Sequence, residues 1–276
     1  MMDIQGRLFA YTEFLVLFAL SLCYLPITIL THPILLITSP AAFRSKWFEN
    51  LWRVVGPKMA ASPLQVNHIE SLLSRSHGVV LELGPGGGDQ AYHFRAEKIE
   101  RMYGAEPNEF LHDRLLQKSR AAGLKNYTVL HAAAQPDSLL PALRSTGLIP
   151  SGALTLPPEG IFDSIVAIKT LCSVPQGQLQ ATVAVIQALL KPGGEFVFFE
   201  HLGNNSDQIT QIYVWFLNWI WPAFIGGCRL DSRLDSVINT MCGWGNRSIQ
   251  TTGEYKGYEI FRYATGICQK MEKRGT

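Results

Sequence analysis

The residues of this chain best suited to chemistry begin at Val79-Val80-Leu81-Glu82-Leu83-Gly84-Pro85-Gly86-Gly87-Gly88-Asp89, an apolar run that ends in an acidic residue and a glycine-dense turn. A strand followed at once by so few side chains lets the backbone approach a bound nucleotide closely. Dinucleotide turns require G-x-G-x-x-G. Here Asp89 takes the place of the third glycine, whereas Gly84, Gly86 and Gly88 fit E-x-G-x-G-x-G. This spacing disfavours a nicotinamide-dependent oxidoreductase. A second apolar run, Ile99 to Ala105, leads into Glu106-Pro107-Asn108. It puts a carboxylate at a strand end about twenty residues past the first glycine, where it can accept hydrogen bonds from both hydroxyls of a ribose.

The elements that must position these groups follow in order. Gly160 to Ile168 reads as a continuous buried strand, with a turn at Ser173-Val174-Pro175-Gln176-Gly177. Ala181 to Leu190 repeats apolar residues at helical spacing, and Lys191-Pro192-Gly193-Gly194 stops that helix and opens a strand from Glu195 to Glu200. Strands alternating with helices predict an α/β, doubly wound sheet that binds ligands at the carboxyl ends of its strands. That rim collects Glu82 to Asp89, Glu106, Ala133 to Gln135, Lys169 to Ser173 and Glu200 to Leu202.

The E-x-G-x-G-x-G turn resembles motif I of the class I S-adenosylmethionine-dependent methyltransferases, and K-P-G-G-x-F-x-F-x-E resembles the turn before their fifth strand. Thr170-Leu171-Cys172-Ser173-Val174, Phe198-Phe199-Glu200-His201, Trp221-Pro222 and Gly226-Gly227-Cys228-Arg229-Leu230 resemble segments of the methyltransferase-like 7 family, membrane-anchored enzymes that methylate alkyl thiols. The resemblance implies a mostly parallel seven-stranded, Rossmann-like sheet and S-adenosyl-L-methionine as cofactor. It also implies a small lipophilic acceptor, a thiol. Glu82, Gly84, Pro85, Gly86, Gly87, Gly88, Glu106, Ala133, Ala134 and Lys169 are the expected cofactor contacts. Two departures stand out. The stretch Asp137 to Glu159, with Pro141, Pro150, Pro157 and Pro158, is longer than the family's link into the fourth strand, and His131-Ala132-Ala133-Ala134-Gln135 lacks the acidic residue often found beside the adenine.

With 276 residues, 47% of them hydrophobic, the chain can bury a sizeable core. A net charge of +2 and the lack of a Lys/Arg stripe argue against nucleic acid as a partner. The five cysteines, Cys23, Cys172, Cys228, Cys242 and Cys268, are scattered, with no C-x-x-C and no histidine at metal-ligand spacing. The expectation is therefore small buried apolar residues in a reducing compartment, with neither a disulfide framework nor a metal site.

Phe14 to Leu30 carries no charge, and the apolar character resumes from Pro33 to Ile37. Such a run is at the short end of a bilayer span, and Pro26 interrupts it. With Arg7 as the sole basic residue ahead, Glu13 abutting the run and no A-x-A site after it, a cleaved signal is disfavoured. An anchor kinked or re-entrant at Pro26 is expected. The organisation is then a membrane anchor over 1–40, an interfacial helical region over 41–75 and the catalytic domain over 76–270. Arg44, Lys46, Arg53 and Lys58 follow the anchor, which places the catalytic domain on the cytoplasmic side, for an enzyme of this resemblance at the endoplasmic reticulum. Asn126-Tyr127-Thr128, Asn204-Asn205-Ser206 and Asn246-Arg247-Ser248 then read as chance matches to glycosylation acceptors. Trp47 and Trp52, in the amphipathic stretch from Ala42 to Val55, are expected along the membrane interface.

The acceptor end is read from the later turns. Ile209 to Ile225, carrying Tyr213, Trp215, Phe216, Trp219, Trp221 and Phe224, is expected as a pocket wall and lid that touches the membrane. His201 is the first candidate for a general base, Asp231 a weaker second, and Cys172 a pocket wall. Alternatives are an O- or N-methyltransferase in secondary-metabolite tailoring, and a non-catalytic membrane protein that keeps the fold.

Overall fold

A computed structural model describes residues 4–272 except 64, 151, 154, 205–206 and 254–255. The second of the three Asn-x-Ser/Thr matches runs into residues 205–206 and lies in part outside the described residues. Four helices come first: α1 (Ile4–Thr31), α2 (Pro33–Thr38), α3 (Pro40–Ala60) and α4 (Val66–Leu73). Then follow β1 (Gly78–Leu83), β2 (Ile99–Ala105), α5 (His112–Ala121), β3 (Tyr127–Leu130), α6 (Pro136–Ser145), β4 (Phe162–Ile168), α7 (Gln176–Leu189) and β5 (Leu190–Leu202). The chain closes with α8 (Gln208–Leu217), α9 (Trp221–Phe224), α10 (Leu234–Thr240), β6 (Trp244–Thr251) and β7 (Arg262–Lys270).

The strands form one seven-stranded sheet in the order β3-β2-β1-β4-β5-β7-β6, parallel except for β7, which runs antiparallel to both β5 and β6. The expected doubly wound sheet is the one observed. Alternation along β5 shows why its residues make a central strand. Phe196 and Phe198 face the core cluster beneath α6, α7 and α10, whereas Val197 and Phe199 face the cluster beneath α4. All four are at most 1% exposed, so both faces of the strand are covered.

Three local differences from the sequence reading have physical causes. The Lys191-Pro192-Gly193-Gly194 segment is a bulge inside β5 rather than a turn before it. Leu190 already pairs with Phe162, and the register then jumps so that Glu195 pairs with Ser164. The Pro175-Gln176-Gly177 turn is instead the start of α7, with Pro175 as its N-cap residue. Pro141 lies within α6 rather than in a long link.

The N-terminal apolar segment runs through Pro26 as one helix of 28 residues. The chain breaks at His32 and Ser39, each in a non-helical conformation and each preceding a proline, where the pyrrolidine ring disfavours the helical region. α3 then packs back onto α1. The Trp47 Nε1–H donates to the Ser21 carbonyl at 2.7 Å, and Asn50 Nδ2 donates to Thr28 Oγ1 at 2.9 Å. Farther up, α1 is tied to the start of α8 and to α9. Arg7 Nη1 meets Asp207 Oδ2 at 2.7 Å, Tyr11 stacks on Tyr213 at 4.7 Å, and Phe14 meets Trp221 edge-on at 6.1 Å. Trp47 and Trp52, expected at a membrane interface, are instead drawn against protein: Trp47 is 9% exposed and Trp52 stacks on Phe48.

α1 is long and apolar enough to cross a membrane, with a mean hydropathy of 2.3 over its most apolar stretch. The face it turns away from the domain carries Leu8, Phe9, Val16, Leu30 and other exposed apolar residues, and α8 with the turn after it adds Ile209, Ile212, Trp215, Phe216 and Trp219.

Candidate active site

The carboxyl ends of β1, β2, β4 and β5 open on one cavity of about 290 Å³. Its cofactor-side wall is the turn after β1. Gly84 and Gly86 adopt φ of 60° and 59°, a region that only glycine enters without strain. A Cβ on Gly84 would come within 2.4 Å of Thr170 Oγ1, so the turn lies directly against the end of β4. Gly88 faces the other way. A Cβ there would stand 3.2 Å from Leu115 and Lys118, so its smallness serves the close approach of α5.

Glu106 braces this turn. Its Oε2 accepts the Gly86 N–H at 2.8 Å and its Oε1 accepts the Asn108 N–H at 2.8 Å, which ties the loop after β1 to the loop after β2. Glu82 lies deeper, at the end of β1, and accepts the Tyr127 hydroxyl at 2.8 Å. That hydroxyl reaches it because Gly104, between them on β2, has no side chain: a Cβ there would overlap the phenol. Neither carboxylate has an ion-pair partner among the described residues. Burial pushes each up to about 7 from an ordinary 4.5, and for Glu82 the neighbouring Glu106 adds to the rise.

Of the residues expected to hold a cofactor, Glu82, Gly84, Pro85, Gly86, Glu106, Ala133, Ala134 and Lys169 line this cavity, whereas Gly87 and Gly88 stand behind the turn. Ala133 is held by an N–H bond to Ser138 Oγ at 2.9 Å. Lys169 is the one described non-glycine residue at positive φ, 55°. Its ammonium donates to Gln65 Oε1 at 2.7 Å, and burial lowers its pKa to about 8. Such a strained backbone at a strand end is typical of functional sites.

At the opposite end, His201 lines the cavity and is 3% exposed. Asp231 lies outside the lining, in a forked ion pair with Arg229 at 2.9 and 3.1 Å. Cys172 and Cys228 join His201. The ligating atoms of the three lie within 4.8 Å of one another, a grouping that spacing along the chain gave no reason to expect. The aromatic segment divides: Trp221 is buried in the cavity wall, while Trp215, Phe216 and Trp219 point outward.

Sequence reasoning missed a whole wall. Leu17 of α1 and Phe48, Leu51, Trp52, Val55, Gly56 and Met59 of α3 close the cavity over the glycine turn. A Cβ on Gly86 would lie 3.0 Å from Trp52 Nε1. One signal was available. Gly56 sits inside a helical stretch, where glycine is costly, and a Cβ there would lie 2.4 Å from Asp89 Oδ2.

A strand-end glycine turn braced by a buried carboxylate, in a doubly wound sheet, has the make-up of a nucleotide-cofactor site. Residues 63–235 match a methyltransferase-domain family, and the chain belongs to it. No curated protein matches the sequence significantly. Among solved structures, it is similar to an O-methyltransferase family protein from Burkholderia thailandensis, with a TM-score of 0.55 and 13% identity over 85% of this chain and 61% of that one. It is also similar to the N-methyltransferase NodS from Bradyrhizobium japonicum WM9, with a TM-score of 0.50 and 14% identity over 77% and 99% of the two chains. NodS has been solved in complex with S-adenosyl-L-homocysteine. The CurJ carbon methyltransferase is a third, with a TM-score of 0.51 and 14% identity over 79% and 58%. At these identities the likeness is one of fold.

Proposed function

We propose that this chain is a membrane-seated, S-adenosylmethionine-dependent methyltransferase acting on a small lipophilic acceptor, a thiol by its resemblance to the methyltransferase-like 7 enzymes. The observation that carries the reading is the continuity of one cavity, with the glycine turn and Glu106 at one end and an apolar, sulfur-lined pocket at the other. Gly84 and Gly86 leave the space a ligand's methionine portion would fill. Glu106 offers its remaining lone pairs to ribose hydroxyls, and Ala133 and Ala134 leave a flat apolar slot for a base. When bound, the cofactor supplies an electrophilic methyl on a sulfonium; the acceptor's lone pair takes the methyl, and the electron pair of the broken bond stays with the sulfonium sulfur.

The chain's own contribution is positioning and water exclusion. Leu17, Phe48 and Trp52 close the cavity over the glycine turn, Trp221 walls its acceptor end, and His201 is among the polar side chains that line it. A thiol gives up its proton far more readily than an alcohol and its sulfur is strongly nucleophilic, so it asks less of a base. Incubation of the full chain with methyl-labelled cofactor and matched alkyl thiols, alcohols and amines tests this reading. The label is expected on sulfur; label on oxygen or nitrogen instead would overturn the thiol assignment, and no cofactor binding in calorimetry would overturn the enzyme.

The membrane seat rests on the outward faces of α1 and α8. Because α1 is fastened to the domain from Arg7 to Thr28, the reading is that it lies in one leaflet with α8 beside it, the catalytic domain cytoplasmic at the endoplasmic reticulum. Leu17 then forms part of both the membrane-side helix and the pocket wall, and a lipophilic acceptor enters from the bilayer. Replacing Trp215 and Trp219 with serine removes two exposed indoles without touching the cavity. Vesicle co-flotation is expected to fall by about tenfold or more, with cofactor affinity unchanged; undiminished flotation would refute the seat.

A further inference from the structure

Three side chains meet at the acceptor end of the cavity in an arrangement that methyl transfer alone does not require. Cys172 lies on a single turn of 3-10 helix after β4, His201 near the end of β5, and Cys228 on the loop after α9. They are 2%, 3% and 9% exposed, their ligating atoms lie within 4.8 Å of one another, and all three line the cavity.

The surroundings hold this cluster rigid. Glu200 Oε1 accepts the N–H groups of Thr170 and Leu171 at 2.6 and 2.7 Å, which fixes the turn carrying Cys172. The Arg229 N–H donates to the Cys172 carbonyl at 2.9 Å, so the loop carrying Cys228 is tied to that same turn. His201 Nε2 is 3.0 Å from Cys228 Sγ, and Phe261 and Tyr263 meet the imidazole edge-on. The Trp221 indole N–H donates to Cys228 Sγ at 3.4 Å, a donor aimed at sulfur of the kind that supports a ligating thiolate. His201 Nδ1 is buried with no hydrogen-bond partner, which leaves Nε2, the nitrogen facing Cys228 Sγ, as the one placed to ligate.

Two sulfurs and one imidazole are the donor set of a borderline-soft divalent cation. Three protein ligands with a fourth side facing a cavity is the arrangement of a reactive rather than a structural zinc site. The charges also balance: two thiolates cancel the two charges of the cation, so the occupied site buries no net charge in apolar surroundings. We propose that Cys172, His201 and Cys228 bind one divalent cation of the zinc class whose open coordination position faces the acceptor pocket. There the cation takes the acceptor's sulfur. The thiol exchanges its S–H bond for a sulfur–metal bond, the proton leaves to solvent, and the methylated thioether, neutral and a weaker ligand, departs. This last step rests on the thiol reading above; the cation site does not.

The test uses the full chain in detergent, stripped with a chelator and titrated with Co²⁺. One cobalt per chain is expected, with the thiolate-to-cobalt charge-transfer bands and intense visible bands of a four-coordinate sulfur–nitrogen site. Cys228→Ser and His201→Asn should each weaken cobalt binding by about tenfold or more. Retained affinity for S-adenosyl-L-homocysteine shows that each variant is folded. Absence of the thiolate bands, or bands that survive in Cys172→Ser combined with Cys228→Ser, would overturn the site. An alkyl thiol should shift the visible bands of the cobalt protein. Unmoved bands in a protein that nonetheless methylates the thiol would overturn the open position. A cobalt site with thiolate bands in a protein that methylates only alcohols would leave the cation standing and remove the thiol reading.

Discussion

Gly86→Val is expected to weaken S-adenosylmethionine binding by at least about 100-fold, equivalent to about 2.7 kcal/mol. Two independent costs add. Residue 86 has φ of 59°, where a β-branched side chain is strained by about 1–2 kcal/mol. Its Cβ would also stand 3.0 Å from Trp52 Nε1, and the valine methyls would project into the cavity the ligand is to fill. The Gly86 N–H that Glu106 anchors would shift with the turn, so the brace between the loops after β1 and β2 would loosen as well. Isothermal titration calorimetry on a variant with unchanged circular dichroism is the measurement. Affinity within threefold of the parent would remove this turn from the cofactor site. Gly86→Ala, which adds the Cβ alone, should fall between the two.

Cofactor binding should also strengthen as pH rises through about 7, because Glu106 is held there by burial rather than by a counter-ion. Ribose hydroxyls donate to the ionised carboxylate, so below pH 7 binding must first remove its proton, at a cost of about tenfold in affinity per pH unit. The sign for folding is opposite. A carboxyl whose folded pKa stands above its unfolded value of 4.5 favours the folded state below that value, and this contribution is lost as pH rises through about 7. The ligand-free protein should therefore lose a few kcal/mol between pH 4.5 and pH 7, Glu82 acting in the same direction. Binding should compensate by releasing protons, read from calorimetry in buffers of different ionisation enthalpy. Glu106→Gln should remove the Glu106 share of that release and weaken binding by about tenfold or more, since its amide cannot accept from both Gly86 and Asn108. Undiminished proton release in this variant would assign the titration elsewhere.

Three of the parallel strands were readable because each is short, apolar and bounded by turn residues: Ile99–Ala105 was delimited to the residue, and β1 and β4 to within one or two. The bulge in β5 was not. Prolines and glycines mark a break in local conformation, but pairing of Leu190 with Phe162 ahead of that break depends on a neighbour distant in sequence. At the site, the glycine turn and Glu106 could be found because their relation is set by the spacing of two adjacent parallel strands. Their shared brace is a consequence of strand order. The inward turn of Trp47 and Trp52 was hidden for a different reason: an amphipathic helix has the same pattern whether its apolar face meets lipid or protein.

Local conformation and strand periodicity were enough to mark four of the seven strands, the turn that can admit a ligand and a strand-end carboxylate, since each of these depends on residues within a few positions of one another; the seven-stranded sheet followed from the resemblance. Where α1 and α3 lie was settled by tertiary packing, through ties such as Arg7 to Asp207 and Trp47 to the Ser21 carbonyl, which bring an apparent anchor over the cavity as its wall. The meeting of Cys172, His201 and Cys228 is of the same kind. They come from the turn after β4, the end of β5 and the loop after α9, and such convergence has no signature in the spacing along a chain because the intervening lengths are set by the fold's connections and not by the chemistry they join.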